Sequence, residues 1–501
     1  MEKDRRRFLG ALGALGATAV VGCDDPPEPA PEPAPERPSR VGADGLPPGL
    51  DPAHFQIHGR RPWTLETRRE ALAASVVTAT DRLFVRNNLA MPEAAASPDE
   101  WSLAIGARTF TLGALKRLGL ETVAMVLQCS GNGRRFFEHG PSGSAWGVGA
   151  AGCVIVSGVP LRAVVEAMGG VPSGARFVTA TGADPIPEDV ARDTVVVERS
   201  VPLDKALQDG VLGWEMNGEP LPHVHGGPLR LFVPGYFGCN QVKWLKALSF
   251  TAETSNAKIM RTGYRLRPIG QSGAPDQPSM WAMPVKSWIV RPATRPIVGG
   301  KTQVVGVAFS GEAPVVRVEW SNDGEAWEEA RFVGPNLGPF AWRLFSFEVN
   351  ASDALTLFTR ATDSEGNTQP EGRVENERGY GNTSWRDMGV VLRVCEEDDQ
   401  ACLQPPEEAT SADRGSVELS DSGRRGQAIF ASIQPACGTC HTLSHAGTAG
   451  QVGPALDGIR RTMPQIEATI RNGIGAMPSF GPQLSEGELR DLATYVFEAT
   501  R

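Results

Sequence analysis

Along most of this chain, apolar residues come in short runs and alternations, and helical spacing is confined to a few segments. Between residues 51 and 255, the runs Val123 to Leu127 and Gly152 to Val156 read as buried strands, and Leu161 to Met168 repeats its apolar positions with helical period. That mixture predicts an α+β domain. From about residue 285 the pattern changes to strict alternation. Val305, Val307 and Phe309 are one example, Val316, Val318 and Trp320 lead into an Asn322-Asp323-Gly324 turn, and Leu355, Leu357 and Thr359 repeat it. Short alternating strands punctuated by turns predict an Ig-like β-sandwich over 256–395. Residues 396–422 are acidic and rich in Ser and Pro with no period, which reads as a linker. The remainder, 423–501, predicts a small all-α domain. Its last helix is announced by Ser485 and Glu488 as a capping box, with Leu489, Leu492, Ala493, Val496 and Phe497 on one face.

The N-terminus bears on compartment. Arg5-Arg6-Arg7-Phe8-Leu9 and the small apolar residues up to Val21 form a basic region and a short hydrophobic region, a signal of about 1–23 too short to span a bilayer. Paired arginines before Phe-Leu resemble a twin-arginine signal, used for proteins exported already folded. Val20-Val21-Gly22-Cys23 resembles a lipobox, which implies lipid on Cys23; ordinary cleavage nearby or an uncleaved anchor fits the same residues. Residues 24–50 are a Pro-rich tether. These features predict a periplasmic protein that meets the membrane only through an N-terminal lipid anchor. A net charge of −9 and a pI near 5.5, with no basic cluster beyond the signal, argue against a nucleic-acid partner. In an oxidising space Cys395 and Cys402 are candidates for a small disulfide loop, whereas Cys153 and Cys239 in apolar surroundings read as buried thiols.

Cys437-Gly438-Thr439-Cys440-His441 has the spacing that covalent haem attachment needs: two thiols for the vinyl groups and a following imidazole for the iron. One haem c held by Cys437, Cys440 and His441 makes this an electron-carrying domain. Met477, in Gly475-Ala476-Met477-Pro478 before the last helix, is the expected sixth ligand, with Met463 as its competitor. A zinc knuckle is the bland alternative, and His445 is its nearest extra ligand.

Cys129 closes the run Val123 to Leu127 and opens Cys129-Ser130-Gly131-Asn132-Gly133-Arg134. A thiolate at a strand end, followed by glycines and an arginine, suits a soft metal carried by an organic cofactor; a buried cysteine before a glycine turn fits the same residues. Further ordered segments accompany it: Phe84-Val85-Arg86-Asn87-Asn88, Trp146-Gly147-Val148-Gly149, Glu215 to Pro222, His225-Gly226-Gly227-Pro228-Leu229-Arg230, Val233-Pro234-Gly235, Val242-Lys243-Trp244-Leu245 and Arg378-Gly379. In these, residues 54 to 394 resemble the sulfite oxidase family of molybdenum-pterin enzymes, both its cofactor domain and its β-sandwich dimerisation domain. The resemblance implies molybdenum-molybdopterin with Cys129 as the protein ligand to the metal. It implies Asn87, Asn88, Arg134, His225, Arg230 and Lys243 as residues that hold the pterin and its phosphate, with Asn88 standing where many relatives carry histidine. It implies Arg86, Trp146, Tyr264 and Arg378 as the anion pocket beside the metal.

The resulting expectation is oxidation of sulfite to sulfate, with single electrons passing through the fused haem to an external cytochrome c-like acceptor, in a homodimer. Oxidation of sulfane sulfur or reduction of a sulfoxide on the same scaffold is the nearest alternative. A non-catalytic electron-transfer protein is the alternative of another class.

Overall fold

The computed structural model describes residues 46–60, 62–186, 191–292, 296–352, 354–403, 419–446, 448–449, 453, 456–457, 459, 461–474 and 477–500. The expected signal and lipid site in 1–23, most of the tether, and linker residues 404–418 lie outside them. In the first domain, the β-branched stretch Glu121–Gln128 pairs antiparallel with Ala151–Pro160, from Glu121↔Gly158 to Gln128↔Ala151. Val211–Met216 adds to the other edge of Ala151–Pro160 and is flanked in turn by Glu219–Pro220 and Arg230–Phe232. A second sheet runs Arg108–Thr111, Ser102–Ile105, Leu245–Thr251, Phe177–Gly182, Glu198–Pro202, and a three-stranded sheet joins Phe55–Arg60, Trp63–Thr67 and Val85–Arg86. Helix Leu161–Met168 buries Leu161, Val164 and Val165 against the core, and Gly169 ends it in a left-handed conformation.

The second domain packs a sheet of Lys286–Arg291, Gly300–Phe309, Arg343–Ala351 and Arg331–Val333 on one of Glu328–Glu329, Val315–Ser321, Leu355–Asp363 and Val390–Leu392. Between them lie Ile289, Val304, Ala308, Val318, Phe345 and Leu357. The other face of the first sheet does not meet solvent. Trp288, Val307, Phe309 and Trp342 pack there with Val126, Val148, Cys153 and Phe237 of the first domain. Because each fully buried large apolar side chain contributes about 1.5–3 kcal/mol, this shared core holds the two domains as one body.

The alternation read at Val316, Val318 and Trp320 needs correction at its first member. A register shift between Val315 and Arg317 turns Val315 inward at 7% exposure and leaves Val316 outside at 54%. A bulge inserts one unpaired residue and so flips the period-two pattern behind it.

In the third domain, helix Asp421–Ser432 starts on the Ser420 cap and crosses helix Glu486–Ala499 at Gly426, where any Cβ would strike the Asp491 carbonyl. Ser485 and Glu488 cap the last helix reciprocally, and Leu489, Leu492, Ala493, Tyr495 and Val496 are buried with Phe430, Ile466 and Ile470. Cys395 and Cys402 are joined in a disulfide, while Cys153 and Cys239 are free thiols. Among the described residues no helix is long and apolar enough to cross a membrane.

The bulge sets an asymmetry that mutation can read. Val318→Ala is expected to cost about 1.5–2.5 kcal/mol in denaturant unfolding followed by tryptophan fluorescence. Val316→Ala should stay within about 0.5 kcal/mol of the parent. Equal losses at the two positions would contradict the assigned facing.

Candidate active site

The pocket is assembled from strand ends. Val85–Arg86 pairs Thr64↔Arg86 and hands Arg86 directly to Asn87 and Asn88. Glu121–Gln128 stops one residue before Cys129, whose N–H donates to the Ala150 carbonyl at 2.9 Å, and Asn132 N–H closes the following turn on the Cys129 carbonyl at 3.0 Å. The short 3-10 turn His223–His225 and strand Arg230–Phe232 supply His225 and Arg230, and Lys243 immediately precedes Leu245–Thr251. At Gly226, with φ +106°, a Cβ would come within 2.8 Å of the Lys243 side chain, so glycine clears the path of the ammonium arm. Tyr264 follows helix Lys258–Arg261 with φ 45°, a left-handed residue without the freedom of glycine.

Arg86, Asn87, Asn88, Cys129, His225, Arg230, Lys243 and Tyr264 line one pocket of about 700 Å3, its open mouth included. The electrostatics are cationic and dry. Lys243 Nζ donates to Asn87 Oδ1 at 2.7 Å and to the Val224 carbonyl at 2.8 Å, and burial drives its pKa well below the usual lysine range. Burial lowers Arg230 to about 9, with its Nη1 on the His225 carbonyl at 2.9 Å, and keeps His225 neutral by pushing its pKa well down. Burial also raises the Tyr264 phenol, against the opposing pull of Arg86, so the hydroxyl stays protonated; it donates to Asn88 Oδ1 at 3.4 Å. Arg86 Nη1 donates to the Asn87 carbonyl.

The remaining sequence candidates stand behind this lining. Trp146 is fully buried under Cys129 among Phe84, Leu127 and Val154, edge-on to His58 at 4.8 Å, and does not line the pocket. Arg134, which the resemblance implies as a pterin residue, is held by the chain: Nε donates to the Arg378 carbonyl and Nη1 to the Ser144 carbonyl, both at 2.8 Å, with its guanidinium over Tyr380. It braces the Arg378 loop. Arg378 lies over the same ring, 5.6 Å from the centroid, and its buried Nε has no partner among the described residues. Tyr380 stacks on Tyr264 at 5.5 Å, which connects Arg134, Arg378 and the pocket tyrosine through aromatic faces.

Sequence reasoning missed Asp184, Cys239 and Gln241, which also line the pocket. Burial raises the Asp184 carboxyl to about 7 against the pull of Lys243. Cys239 receives the Ser130 hydroxyl at 3.3 Å. Asp184 sits in the loop after strand Phe177–Gly182, and a polar residue at a strand end was the available signal. His223 bonds the Pro92 and Gly227 carbonyls and is spoken for.

The residues fit the molybdenum-pterin group. Asn87 Nδ2, Asp184 Oδ2, His225 Nε2 and Gln241 Oε1 belong to residues that line the pocket and are buried without partners among the described residues, each at a cost of about 1–3 kcal/mol that a polar ligand would offset. Arg230 and Lys243 are desolvated cations suited to a phosphate. Among the described residues no three His, Cys, Asp or Glu side chains gather as metal ligands, and the free thiols that line this pocket are Cys129 and Cys239, so a metal here would need further donors from its cofactor.

In the third domain, Cys437 and Cys440 are the two ends of a single helical turn, and the His441 N–H donates to the Cys437 carbonyl at 2.9 Å. His441 is buried, and a side chain at Gly453 would run into its ring. Free thiols beside a buried imidazole fit covalent haem. Met477 sits on a turn closed by its mutual backbone bonds with Ile474, and Met463 begins helix Met463–Asn472; both pack on the domain core. His445 bonds the Tyr495 hydroxyl at 3.1 Å.

Comparison with known proteins agrees with this anatomy. Residues 88–259 match the oxidoreductase molybdopterin binding domain, 277–392 the Mo-co oxidoreductase dimerisation domain, and 421–496 the cytochrome C oxidase, cbb3-type, subunit III family. Sulfite oxidase of Gallus gallus is 30% identical over 380 residues, covering 70% of this chain and 81% of that protein. Sulfite oxidase of Arabidopsis thaliana is 30% identical over 376 residues, covering 68% and 94%. Among solved structures, the sulfane dehydrogenase SoxCD from Paracoccus pantotrophus aligns with TM-score 0.58 at 26% identity, over 71% of this chain and 95% of that one. A strand-end thiol in a cationic pocket, a sandwich sharing its core and a helical haem domain therefore have one reading: the chain belongs to the sulfite oxidase family, a molybdenum-molybdopterin oxidoreductase with a haem c domain at its C-terminal end.

Proposed function

We propose that this enzyme oxidises sulfite to sulfate and passes the electrons singly through its own haem to an external cytochrome c-like protein. The observation that carries the proposal is that Arg86, Tyr264 and Cys129 line the same pocket, with the Arg378 loop packed behind Tyr264 through Tyr380. The balance is sulfite plus water giving sulfate, two protons and two electrons. When bound, the molybdenum group supplies oxygen-atom transfer and takes up the electron pair.

The chain's own residues do the rest. A small dianion leaves water only where charge-assisted donors replace its hydration, and the Arg86 guanidinium supplies them at the pocket wall. Tyr264 offers a neutral O–H donor because burial keeps its phenol protonated, and Asn88 Oδ1 fixes the direction of that hydroxyl in the resting pocket. No protein nucleophile is needed. The two-electron chemistry of the pocket and the one-electron capacity of a haem require two successive transfers, which tethering on one chain favours by raising effective concentration.

Export by the twin-arginine route suits this arrangement, since the pterin is loaded before export and haem after it; residues 1–23 supply the signal, and the mature protein is periplasmic with lipid on Cys23. The matched dimerisation domain supports a homodimer. The similarity to a sulfane dehydrogenase favours a second reading in which sulfane sulfur is the substrate. Steady-state assays with cytochrome c as acceptor separate the two: turnover with sulfite is expected, and turnover only with a sulfane donor would overturn the first reading.

Arg86→Gln should raise the sulfite KM by about 10- to 100-fold, the equivalent of one lost charge-assisted interaction, with a smaller change in kcat. An unchanged KM would remove Arg86 from the anion site. Cys129→Ala should abolish sulfite turnover while the haem absorbance of the purified protein stays that of the parent. His441→Ala should leave the molybdenum site able to oxidise sulfite in a single anaerobic turnover, read as about one sulfate formed per molybdenum, and block reduction of external cytochrome.

A further inference from the structure

Arg199 stands in strand Glu198–Pro202, paired Ala180↔Arg199, and is fully buried at 0% exposure. A guanidinium taken out of water is costly unless acceptors or a counter-charge replace its hydration. Among the described residues its hydrogen-bond partners are all neutral: Nη1 donates to the Ile259 carbonyl at 2.9 Å, and Nη2 to Asn240 Oδ1 at 2.9 Å and the Ser279 hydroxyl at 3.1 Å. Its buried Nε has no partner among them. Glu198, the carboxylate next in the chain, is taken up by the Thr181 and Ser255 hydroxyls. What the guanidinium does face is the ring of Tyr264, 5.5 Å from the centroid and within cation–π range.

The acceptors of Arg199 belong to the segments that surround Tyr264. Ile259 lies in helix Lys258–Arg261, just ahead of the tyrosine. Asn240 closes the turn Gly238–Asn240 between the pocket residues Cys239 and Gln241, and its Nδ2 donates to the Met280 carbonyl at 2.7 Å. Ser279 precedes Met280, whose N–H donates to the Tyr264 carbonyl at 3.0 Å. One planar fork therefore ties together the helix before Tyr264, the segment that holds its carbonyl and the pocket turn beside it. Tyr264 needs such holding. Its φ of 45° is left-handed, which a bulky side chain keeps only where its surroundings impose it. Its hydroxyl has only a long bond, 3.4 Å to Asn88 Oδ1, so the aim of the O–H rests on how the ring is packed.

We propose that Arg199 is a positioning residue of the reaction: it holds the Tyr264 ring by its face and the Tyr264 backbone through Ile259, Asn240 and Ser279, and so keeps the phenol O–H aimed into the pocket. Arg199 does not line the pocket and acts through Tyr264. A donor fixed before the reaction stabilises developing charge without reorganisation, whereas a loose one must first be ordered. The inference rests on the reading of Tyr264 as a donor to the anion, and not on which sulfur compound is oxidised.

A double-mutant cycle on the full-length holoenzyme tests it, with kcat and KM measured on whichever sulfur donor the parent oxidises and with molybdenum and haem contents matched. Arg199→Met is expected to lower kcat about tenfold and to change KM less than about threefold, because Arg86 is untouched. Tyr264→Phe should lower kcat by about tenfold or more. In the Tyr264→Phe background, Arg199→Met should then cost less than about twofold, since the hydroxyl it aims is gone. Losses that multiply in full would show Arg199 supporting the fold at large and overturn the proposal, as would a parental kcat in Arg199→Met or a loss confined to KM. A parental kcat in Tyr264→Phe overturns it together with the donor reading of Tyr264. Where Arg199→Met does not fold, Arg199→Lys carries the same cycle: it keeps the cation but spans fewer acceptors, so a loss of about threefold that vanishes beside Tyr264→Phe is expected, and multiplying losses or a parental kcat overturn the proposal. A parent that oxidises a sulfane donor and not sulfite contradicts the substrate reading alone and leaves the cycle readable.

Discussion

Burying Arg230 and Lys243 beside Arg86, around a pocket that also holds a strand-end thiol, is the constraint from which the remaining architecture follows. Cations out of water cost several kcal/mol each unless an anion meets them. Asp184 is the carboxylate at hand, and its own pKa is raised to about 7, so it compensates only part of that charge. Desolvated cations in this pocket therefore favour an anionic ligand.

The scaffold holds that arrangement by placing each contributor at the end of a rigid strand. Cys129 ends the strand paired in register with Ala151–Pro160, Arg86 ends the three-stranded sheet, and Lys243 leads into the second five-stranded sheet. The β-sandwich shares the core of Trp288, Phe309 and Trp342 with Val126 and Phe237, and its 378–380 loop thereby reaches Tyr264. Movement of one domain against the other would first have to open this apolar layer, so the anion pocket is pre-organised.

Legibility in the sequence followed the range of the interactions. Cys437, Cys440 and His441 could be read directly because haem attachment is local in the chain, and the Ser485–Glu488 cap because it closes within one turn. The strands around Cys129 were visible as apolar runs, but naming the cofactor required resemblance, since one thiol before a glycine turn has several uses. Val316 was misplaced because a bulge leaves no mark in an alternating pattern. Asp184, Cys239 and Gln241 were missed as pocket residues, and the bond from Arg134 to the Arg378 carbonyl was not foreseen, because in each case the deciding partner lies far away in sequence.

The most direct test of the central claim, that electrons enter at the Cys129 pocket from a small sulfur oxyanion and leave through the attached haem, is an anaerobic titration of the purified enzyme with sulfite. The haem visible bands are followed, with molybdenum determined on the same sample. Sulfite at roughly one equivalent per chain is expected to reduce the haem in molybdenum-replete protein. Haem that stays oxidised in protein fully loaded with molybdenum, whatever the sulfite added, would contradict it.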